Sequence, residues 1–492
     1  MGATRHSSLL TLGLATGLSA SVCAYDGMMG LTAMTPVGNR ISDTNLTALD
    51  AGSLYSAGLM DMHPVAMSPA LISGMTLTGT HAGLVAADTV GIGTEGVGVD
   101  SGTGTSDLWT KIKLDKNPDV VGRHIGPGRL LPDVTVDFGY NDNLTFENNE
   151  SIGSYYTGVS PHLGYVLSGR TRKLALDYFL NARYFEGTGG KDDYVDNRVV
   201  ASFDYNPTRR IFASAFAEYK DSHDGRGQGR AEAGAGITQT SLDEWHLWGM
   251  GGKFTYGAPT ARGRLEFDAA YVNKRYDTNR LFTFTRDLDD FATAGRFFYR
   301  VRPKTSLVFE GRNTAHDYAR DEVGTPSLDG MTTTFLTGVT WQATYKTTGF
   351  AKFGYNLRTF DSEQRDNQGG LSWNVGVDWK PKSYSTVHLA TAQSFAETNG
   401  TGDAINQRNI LASWHHYWRD RFSTRLDMGY QTSTFDPDNR EDTSYLMGAR
   451  ADYAFRRWMN LGAGFRHSTT SSSDDEFDYE QNIFEIKVDL IF

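Results

Sequence analysis

The chain has 492 residues, 12% of them aromatic, with 54 Gly, 13 Pro and a formal net charge of -11. No stretch beyond the N-terminus approaches the ~18 apolar residues in a row that a spanning helix needs, which excludes a helical channel or transporter. The acidic balance argues against a nucleic-acid partner, and a single cysteine, Cys23, excludes a disulfide framework or zinc ribbon.

Residues 1–24 read as a secretory signal, with Arg5 and His6 ahead of the apolar LLTLGLATGL and Val22-Cys23-Ala24 as a small-residue cleavage site. Lipoprotein processing at Cys23 is the alternative, and Val22 fits it poorly. From 25 to 130 the only aromatics are Tyr25, Tyr55 and Trp109, amid Met-, Gly- and Thr-rich runs such as GIGTEGVGVDSGTGTS. A stretch with so little to bury is expected to be a flexible acidic extension on the periplasmic side or a plug in the lumen. A small extra domain is the alternative.

From 131 to 492 the residues alternate apolar and polar with period two, the pattern of half-buried strands. In FEIKVDLIF, Phe484, Ile486, Val488 and Leu490 share one face and Glu485, Lys487 and Asp489 the other. The same phase runs through RFSTRLDMGYQ and GFAKFGYNLR. The runs are longer than the ~5–6 residues of sandwich strands. About 18 strands are expected, the first near 132–144 and the last near 479–492, an even number that lets an antiparallel barrel close. Tight turns such as Ser168-Gly169-Arg170 and Lys380-Pro381-Lys382 alternate with longer, acidic connections. That rhythm predicts an all-β, antiparallel transmembrane barrel of the outer membrane, with both termini on the short-turn, periplasmic side. Tyr205, Tyr256, Trp341, Tyr345, Trp379, Trp418 and Phe455 gather on the apolar face near the tight turns, where an interfacial girdle belongs.

Charges opposite the lipid face should line a wet interior. Expected pore-lining residues are Lys173, Arg183, Arg296, Arg300, Arg312, Lys352, Arg358, Arg425, Arg450, Asp177, Glu266, Asp268, Glu310 and Asp427. They make either a mixed-charge conduit or a wall that pairs with itself for rigidity. No nucleophile elbow, Walker loop or HExxH motif occurs, so no catalytic residues and no cofactor are expected. His415 and His416 alternate faces and cannot chelate one ion together, and the loop acids around Asp436 and Asp474 lack EF-hand spacing, so no metal site is expected.

The barrel opening PDVTVDFGYNDNLTF, with Tyr140, Asp142, Asn143 and Leu144, followed by tyrosine-rich hairpins, resembles the β-barrel porins of type 2, which include relatives of exopolysaccharide-export barrels. The resemblance covers about 132–492, and the terminal Phe492 matches the signal read by the barrel-assembly machinery. It implies an outer-membrane pore of a Gram-negative cell, without enzymatic activity, that passes or exports polysaccharide or other polar solutes. A general diffusion porin and a structural or adhesive barrel are the alternatives. The implied partners are outer-membrane lipid, lipopolysaccharide, the assembly machinery and polysaccharide. The longest connection, SHDGRGQGRAEAGAGITQT at 222–240, is the third long loop. As in general porins, which this arrangement resembles, it is expected to fold inward as a constriction, bringing Asp224, Arg226, Arg230 and Glu232 opposite Arg296, Arg300 and Arg312. A mobile external loop is the alternative.

Overall fold

The computed structural model describes residues 122–227, 241–258, 260–319, 325–344, 346–396, 403–436 and 440–492. The expected signal segment 1–24 and nearly all of the extension 25–130 lie outside the described residues, as do Tyr345, Arg230 and Glu232.

The described chain forms one sheet of 19 strands. A short β1 (Arg123–Ile125) turns into β2 (Gly128–Asn141), followed by β3 (Ser154–Ser168), β4 (Arg172–Phe185), β5 (Tyr194–Thr208) and β6 (Ile211–Asp224). Next come β7 (Asp243–Tyr256), β8 (Gly263–Tyr276), β9 (Leu288–Arg302), β10 (Thr305–Tyr318), β11 (Gly330–Thr344) and β12 (Thr347–Phe360). The wall is completed by β13 (Gln368–Lys382), β14 (Ser385–Ala396), β15 (Ala404–Arg419), β16 (Phe422–Asp436), β17 (Arg440–Arg456), β18 (Met459–Ser472) and β19 (Tyr479–Ile491).

Strands β2 to β19 make a closed antiparallel barrel of 18 strands. Closure runs through β2 and β19, from Asn141 opposite Ile483 to Asp133 opposite Ile491. In hydrocarbon a strand has no water to hydrogen-bond with, so only a sheet without edges satisfies every backbone group. The first wall strand starts at Gly128, earlier than the expected 132. The Gly126-Pro127 turn, with Gly126 at φ +57, lets β1 fold back onto β2, Ile125 opposite Gly128. Pro132 has no N–H to give, and its carbonyl accepts the N–H of Phe492 at 3.1 Å.

The wall strands hold 12 to 17 residues, more than the ~9–11 that cross a bilayer at a ~45° tilt, so they project beyond the hydrocarbon. On the short-turn rim the ladder slips beside aromatic residues: between Tyr205 and Thr208, Trp341 and Thr344, Trp379 and Lys382, and Tyr453 and Arg456. Pro207 and Pro381 sit inside two of these bulges, where no ladder N–H is required. The connection between β8 and β9 carries a one-turn helix, α1 (Arg280–Thr283), and a 3-10 turn at Phe284–Arg286. Asp287 accepts two hydrogen bonds from Arg280, which holds that guanidinium above its ordinary pKa.

Apolar side chains cover the outer face: Leu371 is 71% exposed, Phe335 65% and Phe353 57%. The girdle residues Tyr205, Tyr256, Trp379, Trp418 and Phe455 are exposed on that face as well. In water this surface would be a liability; in a bilayer it is the solvated one. Inside, apolar contacts are small and scattered, such as Ala270 with Ala292 and Ile405 with Phe435.

Candidate pore wall and mouth

The polar phase of each strand faces inward, and the structure places all of Lys173, Arg183, Arg296, Arg300, Arg312, Lys352, Arg358, Arg425, Arg450, Asp177, Glu266, Asp268, Glu310 and Asp427 on that face. Most of them form two ladders at mid-height. In the first, Glu266 of β8 lies 3.4 Å from Lys253, 3.1 Å from Arg264 and 4.0 Å from Arg296. Arg296 of β9 also pairs with Asp268 and approaches Glu310 of β10 at 3.7 Å. Glu310 accepts from Arg312 at 2.7 Å and from Lys352 at 2.8 Å. Neighbouring inward positions on paired strands stand about 5 Å apart, so each carboxylate reaches cations on both sides.

The second ladder lies across the closure. Arg183 of β4 pairs with Asp137 of β2 at 2.8 Å and approaches Glu485 of β19 at 3.8 Å, with its guanidinium 4.2 Å from the Tyr156 ring. Tyr156 donates to Glu485 at 3.1 Å and Thr135 to Asp489 at 2.8 Å. Arg450 pairs with Asp452 at 2.7 Å and Arg425 with Asp427 at 2.9 Å. Asp177 binds His162, which also binds Asp133. Arg358 donates to the Leu328 carbonyl at 2.8 Å, while Lys173 and Arg300 lie half-buried toward the short-turn rim.

Sequence reasoning left Lys253, Arg264 and Asp137 out of this wall and placed Glu485 on the polar face of its strand without naming it as pore-lining. Asp137 and Glu485 follow the same period-two phase as their neighbours. Lys253 follows Gly249, Gly251 and Gly252, which blur the alternation of β7.

At the mouth, the third loop is described only as far as Gly227. Asp224 ends β6 and accepts from Trp245 Nε1 at 3.0 Å, Tyr276 Oη at 2.7 Å and Arg286 at 2.9 Å. Arg226 pairs with Asp192 of the β4–β5 loop at 2.5 Å. Neither shows a contact with Arg296, Arg300 or Arg312 among the described residues, because nearer loop charges satisfy both. Among the described residues, the first loop turns inward. Phe146, buried at φ +56, packs on the inward-facing Leu446 and Tyr479, its ring 5.3 Å from that of Tyr479. The third loop meets it: a Cβ on Gly227, at φ +74, would lie 1.8 Å from the Thr145 carbonyl oxygen.

The segment NDNLTF builds this arrangement. Asp142 accepts from the Asn482 backbone at 2.6 Å and its amide at 2.9 Å. Asn143 donates to the Glu480 and Glu147 carbonyls, both at 2.8 Å, and its own carbonyl accepts from Gln481. Residues that read as ordinary loop formers thus clamp the outer end of the closure seam and aim Phe146 inward.

His415 and His416 point to opposite faces; His416 lies among Tyr384, Trp414 and Trp418. Among the described residues no group of three or more His, Cys, Asp or Glu side chains could hold a metal ion.

A closed antiparallel barrel with an apolar exterior and a charged, hydrogen-bonded interior is an outer-membrane β-barrel of the porin kind. The chain belongs to the family described as "Putative beta-barrel porin 2", whose model matches residues 117–492. Solved structures similar to it include OccK1 (OpdK) of Pseudomonas aeruginosa, at 10% identity and a TM-score of 0.43, covering 74% of this chain and 99% of that one. Another is OccAB4 of Acinetobacter baumannii, at 11% identity and a TM-score of 0.40, covering 74% and 98%. The FrpB iron transporter of Neisseria meningitidis (F3-3 variant) matches at 12% identity and a TM-score of 0.41, covering 69% of this chain and 62% of that one. A search of curated proteins returned no match.

Proposed function

We propose that the protein is a passive diffusion porin for small polar solutes. The observation that carries this reading is the inward face: paired charges at mid-height behind a mouth into which, among the described residues, the first loop folds. The ion-pair ladders hold the wall rigid and keep the lumen wet, which a diffusion pore requires. Among the described residues no convergent nucleophile, base and oxyanion site joins them, and the pairs serve structure and permeation. Polysaccharide export, expected from the resemblance to export barrels, gains no support from the family match, and general diffusion is the better reading. The constriction falls to the first loop, with Phe146 as its wedge, while the start of the third loop braces it at Gly227.

Purified protein in planar bilayers should give discrete, ohmic conductance steps in KCl. Folded barrel that inserts without conducting would favour a structural or adhesive role and overturn the proposal.

A further inference from the structure

The inward ring of charge has a gap. From Gln368 to Asp378, from His388 to Ser394 and from Ile405 to His415, the inward positions of β13, β14 and β15 hold no Lys or Arg. Their one carboxylate, Asp378, is bonded to His388. The sector instead presents amides, hydroxyls and small residues, among them Asn374, Gln407, Asn409 and Ser413. Along β15, Gln407 and Leu411 are four residues apart, about 13 Å at strand rise, and this outer part of the lane is uncharged; farther in, Ser413 stands opposite Asp427 and His415 opposite Arg425. At its outer end Gln407 and Gln431 both donate to Ser433, at 3.4 and 3.0 Å, which leaves the Ser433 hydroxyl proton to be given inward.

Buried polar atoms in this lane lack a partner among the described residues, as others do along the charged ladders. Gln407 is 1% exposed and its Oε1 has no hydrogen-bond partner among the described residues. His415 is 8% exposed and its Nε2 is likewise without one. Buried acceptors and donors in native proteins are almost always paired, so such atoms mark places where water or a solute supplies the partner. A charged solute gains nothing here over the ladders on either side. A neutral solute carrying several hydroxyls, each both donor and acceptor, matches amides and hydroxyls spaced along one strand.

We infer that β13–β15 form a lane for small uncharged polyhydroxylated solutes, sugars or polyols, separate from the path that ions take along the charged ladders. The inference rests on the porin reading above and narrows its substrate class. The test is permeation into proteoliposomes carrying the full chain, with glucose and gluconate as probes of nearly equal size. Glucose is expected to enter faster than gluconate. Gln407→Leu combined with Asn409→Leu should slow glucose by about fivefold, what one net hydrogen bond is worth, with KCl conductance unchanged. Should that double variant fail to assemble, Ser413→Val is measured the same way. Ion conductance with equal entry of glucose and gluconate, or glucose entry unchanged in an assembled variant, would overturn the lane alone. A wild-type barrel without conductance would overturn the porin reading with it.

Discussion

Glu310 stands where three cations meet: Arg312 at 2.7 Å, Lys352 at 2.8 Å and Arg296 at 3.7 Å. Glu310→Gln removes the charge and keeps the shape, so the first ladder becomes more positive. Reversal potentials in a KCl gradient should shift toward chloride, by about threefold in permeability ratio as an order of magnitude. Breaking a buried pair from one side costs about 3–5 kcal/mol, so the variant should also unfold at lower temperature. Gly227 is another residue whose identity is dictated by its surroundings. At φ +74 and against the Thr145 carbonyl, no side chain fits. Gly227→Ala should part the third loop from the first and raise single-channel conductance, while the barrel assembles normally because the contact lies outside the sheet.

At the scale of elements, the seam between β2 and β19 decides whether the barrel closes. Phe492 is bound through its N–H to Pro132 and leaves its ring 60% exposed on the outside. Its deletion is expected to lower the amount of folded barrel in the outer membrane without altering the conductance of the channels that do form. Unchanged barrel levels on heat-modifiability gels would count against an assembly role. At the other end of the seam, Asp142 and Asn143 attach the first loop to the start of β19. The loop that narrows the mouth and the joint that closes the barrel are therefore one element, and loosening one loosens the other.

For the molecule as a whole, stability cannot come from an apolar core, because the inner face is polar and the apolar contacts there are few. It comes from a closed hydrogen-bond ladder in a medium that offers no competing partner, and from an exterior matched to lipid. Phe353, near the middle of β12 and 57% exposed, tests that match. Phe353→Arg should cost about 2–4 kcal/mol in urea unfolding from lipid vesicles, the depth-dependent price of a cation at the bilayer midplane. A negligible cost would mean that this face does not meet hydrocarbon.

Strand positions, the assignment of residues to inner and outer faces, and the pairing of the first wall strand with the last could all be read from the sequence. Each is a local property: period-two alternation marks a strand, and its phase decides which side meets lipid. The reading weakened where locality did. Lys253 was passed over because glycines break the pattern in β7. The helical turn at Arg280–Thr283 was missed because four residues carry too little periodicity to register. That the first loop turns inward was decided only by tertiary structure. Phe146 of the first loop finds Leu446 and Tyr479 only after closure has brought β17 and β19 beside β2. The partners of each lumen charge were hidden for the same reason. Alternation shows that Glu310 and Lys352 face inward, but only the closed barrel sets them 2.8 Å apart across an intervening strand.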